Sequence, residues 1–370
     1  MNNNQLLASK LTLKSFIYEM IEDYLIASYN SKKLDLISDV VLCTKSSFEL
    51  IKKMTSHQLQ SILNDCNSVK NLHLEHLQSI GFSAKVDDSY SMVKLKYSNN
   101  YVFVNKLDPF GQSLSLYGGH EFMTLKVLNT MVREGDTYIE LGANYGDFLL
   151  TISETVGVKG KVYGFEPSTT IFKFLRASAS ISKQQNVLLE NKAVSDKNKI
   201  EPFDITDSMD GYSSLGSAFH SESHQYSGAK TVYIESVSLD NYFKKNYIIP
   251  NLIRLDIEGS ECKALRGLQE TIEQYKPNLS IEFQSILLER FEDINTVELC
   301  LDILYNNNYK VRDLYSLQSI SKENIITAYS SLQDTELLCT YNSEDLIENL
   351  QKGLYINGWA YDIQTTGDLW

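Results

Sequence analysis

The spacing of hydrophobic positions along the chain changes near residue 85. Before that point apolar side chains recur at helical spacing, as in Leu59, Ile62, Leu63 and Cys66, which is typical of amphipathic helices. Near residue 90 the period shortens to two on both sides of the polar turn at residues 98–100, which predicts a β-hairpin. The pattern predicts a helical N-terminal segment over residues 1–85 and a second domain over residues 86–370 with this hairpin at its start.

From about residue 120 the pattern alternates between strands and helices. We predict strands at residues 137–141, 161–165, 187–191, 252–256 and 278–282, with helices at 146–156, 169–182 and 261–275. Such alternation is the sequence form of a parallel sheet covered by helices, an α/β fold. The last pair of predicted strands, 309–315 and 337–341, has no predicted helix between its members and is expected to close the sheet as an antiparallel hairpin.

Composition limits the class of protein and its partners. The 370 residues are 43% hydrophobic and 22% charged, which is typical of a globular chain. Lys and Arg number 34 against 47 Asp and Glu, a net charge of −13 that disfavours a nucleic-acid partner. The five cysteines contain no C-x-x-C pair, so we expect buried thiols in a reducing compartment and neither a zinc site nor a disulfide framework.

Targeting and membrane segments are not indicated by the pattern. The first sixteen residues, MNNNQLLASKLTLKSF, lack the apolar core of a signal peptide. No later stretch approaches the roughly 18 consecutive apolar residues of a membrane span. The expectation is a cytoplasmic protein with no membrane partner.

The first candidate site is a buried strand that runs into a turn and then a helix, Tyr138 to Gly146. Gly142 permits the sharp turn, Asn144 tolerates a left-handed backbone, and Gly146 allows a close approach of helix and ligand. The two glycines are spaced Gly-x-x-x-Gly, so the dinucleotide pattern G-x-G-x-x-G is absent. Taken alone, such a turn is also found as a purely structural strand-to-helix connection.

The second candidate site is Glu166, 26 residues after Glu140 and at the end of the next predicted strand. A carboxylate at this position accepts hydrogen bonds from ribose hydroxyls in nucleotide-binding folds. An isolated strand-end acid would be an ordinary surface residue. Combined with the preceding glycine turn, Glu166 indicates a nucleoside-binding site.

Several blocks in fixed order resemble the FkbM family of methyltransferases. They are Glu140 to Gly146, Phe165-Glu166-Pro167, Ala193-Val194-Ser195-Asp196, Ser213-Ser214-Leu215, Ser238-Leu239-Asp240, the run RLDIEGSE from Arg254 to Glu261, and Glu282. The resemblance covers about residues 88–345. It implies a class I methyltransferase fold with a Rossmann-like sheet, S-adenosylmethionine as cofactor, and usually O-methylation of sugars or secondary metabolites, with N-methylation of peptides in some relatives.

The resemblance also implies which residues hold the cofactor. They are Glu140, Gly142, Ala143, Asn144, Gly146, Glu166, Ala193 and Asp256. Two positions depart from the usual family pattern, since Glu140 stands where Asp is commoner and Arg254 replaces the usual Lys. Both changes keep the charge, so they affect the geometry of the site more than its class.

Methyl transfer needs an aligned acceptor and a group that takes its proton. The candidates are Asp256, Glu258 and Glu282, together with Glu261, because successive parallel strands deliver them to the carboxyl edge of the sheet. Clustered carboxylates raise one another's pKa and can act as a base or bind a divalent metal, although no pattern specifically indicates a metal. Glu261 could also simply favour the N-terminus of its helix.

Three histidines and one further acid are additional candidates near the site. His220 and His224 lie in a polar loop where a surface position is the favoured interpretation, although an imidazole base is the alternative. His120 and Glu121 open the helix before the first strand, and Glu121 could be a first-turn acid or a cofactor contact.

Four functions remain open from the sequence. The leading one is O-methylation of a sugar, glycan or secondary-metabolite hydroxyl, and the second is N-methylation of a peptide side-chain amide. A nicotinamide oxidoreductase is disfavoured by the absent third glycine and by the terminal hairpin, and a non-catalytic ligand-binding module by the intact acids. Residues 1–85 fall outside the resemblance and are expected to form a homodimer interface or a platform for a small-molecule, glycan or peptide acceptor.

Overall fold

The computed structural model describes residues 90–182, 184–206, 214–215, 229–288, 292–341 and 344–356. The predicted helical segment over residues 1–85 and the loop histidines His220 and His224 lie outside the described residues. The chain divides after Val86, and all described residues belong to the unit Asp87–Trp370.

Helices and strands alternate along most of this unit. The strands are β1 Tyr90–Lys94, β2 Tyr101–Asn105, β3 Thr137–Leu141, β4 Lys161–Phe165, β5 Val187–Glu190, β6 Ala193–Val194, β7 Lys199–Thr206, β8 Ser214–Leu215, β9 Ala229–Val237, β10 Leu252–Leu255, β11 Asn278–Phe283, β12 Lys310–Asp313 and β13 Thr335–Thr340. The helices are α1 Pro109–Tyr117, α2 Phe122–Met131, α3 Asp147–Val156, α4 Thr169–Ile181, α5 Leu239–Asn246, α6 Glu261–Arg266, α7 Gln269–Tyr275, α8 Ser285–Leu288, α9 Ile294–Asn306, α10 Lys322–Ser330 and α11 Glu344–Ile356.

Seven strands form the main sheet in the order β12-β13-β11-β10-β3-β4-β5. Neighbouring strands are parallel except that β13 runs antiparallel to both β11 and β12. The chain order reverses between β3 and β10, which makes that pair the topological switch point where open α/β sheets bind ligands. The predicted α/β sheet with an antiparallel ending is therefore confirmed.

Two details of the sequence prediction are wrong. A helix, α10, lies between β12 and β13, where none was predicted. The predicted helix over 261–275 is two helices, α6 and α7, that are separated at Gly267 and Leu268. A side chain at Gly267 would collide with the backbone oxygen of Ser195, so the break lies where another segment crosses closely.

The two faces of the main sheet differ in polarity. One face presents apolar side chains from the central strands, including Ile139, Leu255, Ile281 and Leu337, which belong to the larger hydrophobic core. The opposite face carries buried polar side chains, among them Glu140, Arg254 and Ser280. These three occupy one row across neighbouring strands, because Arg254 is in register with both Glu140 and Ser280. This face also packs on a second hydrophobic core through Tyr138, Leu252 and Leu338, and the candidate site residues of the central strands lie on it.

Two smaller sheets accompany the main one. The predicted hairpin is present as β1 paired antiparallel with β2, and Asn100 in its turn donates from Nδ2 to the backbone oxygen of Leu150 in α3 at 2.8 Å. Strands β6, β9, β7 and β8 form the second small sheet. The hairpin is therefore tied to the helix that follows the first strand of the main sheet.

Candidate active site

The loop after β3 has the backbone that its sequence predicts. Gly142, Asn144 and Gly146 have φ angles of 81°, 46° and 91°, all in the left-handed region. A side chain at Gly142 would collide with the backbone oxygen of Asp256. The amides of Gly142 and Ala143 both donate to the backbone oxygen of Phe165 at 2.9 Å. The loop is thus fixed between the carboxyl ends of β4 and β10.

Glu166 follows β4 and faces this loop. Its Oε2 accepts a hydrogen bond from the backbone N–H of Asn144 at 3.0 Å, and its Oε1 accepts one from the backbone N–H of Ser168 at 2.7 Å. Two backbone donors therefore hold the carboxylate in one orientation. The structure therefore brings Glu166 into direct contact with the glycine loop, at the ends of the paired strands β3 and β4, and the role of both in cofactor binding stays a prediction.

One buried cation joins the acids at the switch point. Arg254, 3% exposed, lies with Nη1 2.8 Å from Asp256 Oδ2 and 3.6 Å from Glu140 Oε1, and with Nη2 2.8 Å from Glu121 Oε2. Its guanidinium also lies over the ring of Phe148, 4.3 Å from the ring centroid. Arg254 therefore stabilises three carboxylates that belong to different elements.

Glu140 is the most enclosed of these acids. Its side chain is 2% exposed, and Oε2 is buried without a hydrogen-bond partner among the described residues. Burial raises the pKa of Glu140 to about 8, although the charge of Arg254 opposes this rise. Glu140 is thus poised to take up a proton or to accept a cationic group.

His120 and Asp147 form a second buried pair beside the loop. His120 Nδ1 lies 2.7 Å from Asp147 Oδ2, and His120 Nε2 lies 3.7 Å from Glu121 Oε1. Burial disfavours the charge on His120, but the charge of Asp147 and its hydrogen bond outweigh burial, so the pKa of His120 is raised. The sequence prediction did not include Asp147, and its place in the first turn of α3 was the available signal.

Three carboxyl groups stand side by side at the carboxyl edge of the sheet. Glu282 is in register with Glu336 on β13, and Asp256 follows the end of β10 on the other side of Glu282. We call Asp256, Glu282 and Glu336 the carboxyl row. The sequence predicted the first two, whereas Glu336 was missed because its position depends on the pairing of β13.

The acids of the row differ in their tendency to ionise. Burial would raise the pKa of Asp256, but the charge of Arg254 and a hydrogen bond from Glu282 lower it. Burial and the neighbouring charge of Asp256 raise the pKa of Glu282 well above its usual range. Asp256 is therefore the acid of the row that ionises most readily, and Glu282 keeps its proton more strongly and can donate it to Asp256.

Glu258 and Glu261 belong to the loop after β10. Glu258 has a left-handed φ of 54° and is half-buried. Glu261 Oε1 accepts hydrogen bonds from the backbone N–H groups of Ile257 at 3.0 Å and Gly259 at 3.3 Å. Burial raises the pKa of Glu261 to about 7. These contacts make Glu261 a support for the loop that carries Asp256.

The remaining predicted features are placed as follows. Ala193 lies on β6 and packs in the apolar cluster of the small sheet with Phe203, so its predicted contact with the cofactor stays a prediction. Cys262, Cys300 and Cys339 are free and buried thiols. In the described part of the chain, no group of three or more His, Cys, Asp or Glu residues is arranged to hold a metal ion. None of the described helices is long and apolar enough to cross a membrane.

The strand order, the reversed β13 and the loop after β3 define a class I methyltransferase fold. The resemblance of the sequence to the FkbM family is also confirmed, because residues 140–311 match the family described as the methyltransferase FkbM domain. No curated protein sequence matches the chain.

Solved structures give the following similarities. The methyltransferase FkbM from Methylobacillus flagellatus is 17% identical with a TM-score of 0.35, and the match covers 56% of this chain and 44% of that one. Aeropyrum pernix fibrillarin with natively bound S-adenosyl-L-methionine is 12% identical with a TM-score of 0.33, covering 68% and 98%. A Klebsiella pneumoniae protein described as a putative O-methyltransferase is 10% identical with a TM-score of 0.33, covering 59% and 78%. This chain thus spans less than half of the M. flagellatus chain.

Proposed function

We propose that this protein transfers a methyl group from S-adenosylmethionine to a hydroxyl oxygen of a sugar, glycan or secondary metabolite. The observation that carries the proposal is the meeting of three features at the β3–β10 switch point: the glycine loop, the oriented carboxylate of Glu166 and the carboxyl row. Ligands of open α/β sheets bind outside the carboxyl ends of the strands at this point.

The residues at the crevice fit the proposed cofactor. S-adenosylmethionine carries an ammonium and a sulfonium, which favour carboxylates and carbonyl oxygens. Glu140 Oε2 and Asn144 Oδ1 are buried acceptors that have no hydrogen-bond partner among the described residues. We assign Glu140, the loop from Gly142 to Gly146 and Glu166 to cofactor binding, with Glu166 accepting from the ribose hydroxyls.

Asp256 is the group we assign to the acceptor's proton. When bound, the cofactor supplies an electrophilic methyl carbon that needs no activation by the protein. Asp256 is held ionised by Arg254, and its backbone oxygen packs against Gly142, so the carboxylate lies next to the cofactor loop. Glu282 donates a hydrogen bond to Asp256 and keeps it in place.

The low basicity of Asp256 favours a hydroxyl over an amide as the acceptor. A hydroxyl oxygen keeps its lone pairs available, so its proton becomes strongly acidic as the new C–O bond forms, and a weak base can take it. The lone pair of an amide nitrogen is delocalised, so the nitrogen must lose its proton before it attacks. N-methylation of a peptide side-chain amide is therefore the less favoured function.

Calorimetry with S-adenosylhomocysteine is the first test. We expect micromolar binding, roughly −8 kcal/mol, and no binding of a nicotinamide nucleotide. The next measurement is formation of S-adenosylhomocysteine from S-adenosylmethionine over a panel of sugars and hydroxylated metabolites, with Asp256→Asn as the variant that lacks the base. A protein that binds the nicotinamide nucleotide but neither sulfur nucleotide would contradict the proposal.

Residues 1–85 enter the proposal through their sequence pattern. Their apolar stripes need a partner surface, and we propose that they form a homodimer interface or a platform for the acceptor. Light scattering on the full chain and on a chain that begins at Val86 tests this role. A shortened protein that stays soluble, dimeric and fully active would contradict it.

A further inference from the structure

The acceptor side of the site carries more acid than methyl transfer needs. Resting on the proposed function above, we propose that the methyl acceptor bears a protonated amine, which binds between the side chains of Glu282 and Glu336. The substrate class is then an amino sugar or another amino alcohol, whose hydroxyl is presented to Asp256.

The two carboxyl groups share one position on the sheet. Glu282 on β11 is directly opposite Glu336 on β13, and directly opposed side chains in an antiparallel pair have Cβ atoms about 4.5–5.5 Å apart. Two opposed carboxyl groups cannot both ionise without a repulsion that destabilises the sheet, so the pair is held partly protonated until a cation joins it. A fold keeps an unfavourable pair of this kind where function requires it.

The cationic side chains described at the site, Arg254 and His120, form ion pairs with acids other than Glu282 and Glu336. Arg254 pairs with Glu121, Glu140 and Asp256, and His120 pairs with Asp147. Among the described residues no Lys, Arg or His forms an ion pair with Glu282 or Glu336. A neutral side-chain amide, that of Gln284, donates from Nε2 to Glu282 Oε1 at 2.7 Å. The pair therefore has acceptor capacity for a cation from outside the chain.

The hydroxyl of Ser280 gives independent support for a ligand at this place. Ser280, 1% exposed, lies on β11 two residues before Glu282, so both side chains are on the same face of the strand. Its Oγ is buried without a hydrogen-bond partner among the described residues. Buried hydroxyls are normally hydrogen-bonded, and an exception calls for an unseen partner. An ammonium group has three N–H donors, enough for two carboxylates and this hydroxyl.

Tyr315 closes the row on the side of the antiparallel strand. Its hydroxyl lies 3.4 Å from Thr124 Oγ1 in α2. Burial, and after it the charge of Glu336, raise the pKa of Tyr315. The ring of Tyr315 can add a cation–π contact to an ammonium that is bound at the row.

The order of the row sets the orientation of the acceptor. Asp256 is adjacent to the cofactor loop, and Glu336 is two strands away, at spacings of about 4.8 Å per strand. The ammonium is held at the far end of the row, which leaves the near end for the hydroxyl. Binding also ionises Glu336, whose carboxyl group is otherwise kept protonated by burial and by the charges of Glu121 and Asp256, which raise its pKa, so a proton is released. Glu282 keeps the proton that it donates to Asp256 and offers its carbonyl oxygen to the ammonium.

The test uses the full chain saturated with S-adenosylhomocysteine. The probes are methyl glucoside and its four monoamino analogues, which carry an amine in place of the hydroxyl at carbon 2, 3, 4 or 6. We expect at least one amino analogue to bind about tenfold more tightly than methyl glucoside. Calorimetry in two buffers with different heats of ionisation should also detect proton release when that analogue binds.

Two matched variants identify the residues. Glu336→Gln should remove most of the preference for the amine and reduce the proton release, whereas Glu134→Gln, at a side chain that is 61% exposed, should change neither. Thermal unfolding checks that both variants fold, and the comparison of probes on the natural chain needs no variant.

Three results would overturn the inference: equal affinity for all five probes, a preference that persists in Glu336→Gln, or displacement of the amine by Mg²⁺ in competition for Glu336. If S-adenosylhomocysteine itself does not bind, the proposed function fails as well. If it binds and the probes are not distinguished, only the inference about the amine fails.

Discussion

Arg254 Nη1 and Asp256 Oδ2 lie 2.8 Å apart. Arg254 is on β10, and Asp256 directly follows the end of that strand. Residues i and i+2 of a strand are on the same face, which permits this contact. The same guanidinium reaches Glu121, which is 133 positions away in the sequence. A single cation thus connects the start of α2 with the strand end that carries the proposed base.

Replacing Arg254 by Met should destabilise the protein by roughly 3–5 kcal/mol, because buried carboxylates would lose their partner. The loss should grow as the pH rises. In the natural chain the pKa of Asp256 is lowered, so its stabilising contribution is present above its unfolded pKa. In the variant the unpaired acids have raised pKa values, so stability falls as the pH rises through them. Denaturant unfolding from pH 5 to 8 measures the difference, with the exposed Arg133→Met as control.

Gly142→Ala tests the close approach between the cofactor loop and β10. Ala in a left-handed backbone costs about 1–3 kcal/mol, and here its Cβ would also collide with the backbone oxygen of Asp256. Gly135 is a matched control, since it has a φ of 96° but a Cβ added there would meet no atom within 4 Å. We expect Gly142→Ala to lower the unfolding temperature further than Gly135→Ala and to abolish binding of S-adenosylhomocysteine. Equal effects of the two substitutions would contradict the close approach.

Glu166→Ala should weaken cofactor binding by roughly 1.5–3 kcal/mol, the range for hydrogen bonds to a charged group. The variant also removes the acceptor for the backbone N–H groups of Asn144 and Ser168, so a smaller affinity loss is expected for Glu166→Gln, which keeps one oxygen. Calorimetry with S-adenosylhomocysteine checks both. Unchanged affinity in a folded Glu166→Ala protein would remove this residue from the site.

Glu140→Gln should change the pH dependence of stability. Because the pKa of Glu140 in the folded protein is raised to about 8, its contribution to stability is fully present below its unfolded pKa and is lost as the pH rises through 8. The Gln variant lacks this titration, so the difference in unfolding free energy between it and the natural chain should shift in favour of the variant between pH 5 and 9. A constant difference over that range would mean that Glu140 does not titrate with a raised pKa.

The sequence predicted those strands and helices that turn residues or glycines bound at both ends. Strands 137–141 and 161–165 match at both ends because turns and glycines bound them. Helix α10 was missed although its buried residues, Ile325 and Tyr329, are spaced as on one helix face, because nine residues make only about two and a half turns and give a short periodic signal. The helical character and the role of residues 1–85 stay predictions.

The candidate site residues that stand at the ends of parallel strands could be predicted from the sequence. The residue whose place depends on which strand β13 pairs with could not. Glu140, Glu166, Asp256 and Glu282 each stand at or near the carboxyl end of a predicted parallel strand, so their proximity follows from the fold. Glu336 stands near the start of a strand, and only the antiparallel direction of β13 brings that start to the same edge. The contact of Glu121 with Arg254 joins segments that are far apart in the sequence, so no local sequence pattern predicts it.

Because β13 runs in the reversed direction, the stretch between β12 and β13 begins and ends at the same edge of the sheet. The chain leaves the sheet at Asp313 and returns at Thr335, and both points lie at the edge that carries the carboxyl row. The backbone N–H of Leu314 donates to the backbone oxygen of Glu336 at 2.8 Å, which ties the two ends together. The intervening stretch leaves and rejoins the sheet at the same edge, and within it α10 is anchored to the core through Ile325 and Tyr329, so insertions outside that helix need not alter the register of any strand. We therefore expect changes in residues 314–334 to affect the neighbourhood of Glu336, while the loop at residues 142–146 and Glu166, on the other side of β10, keep their geometry.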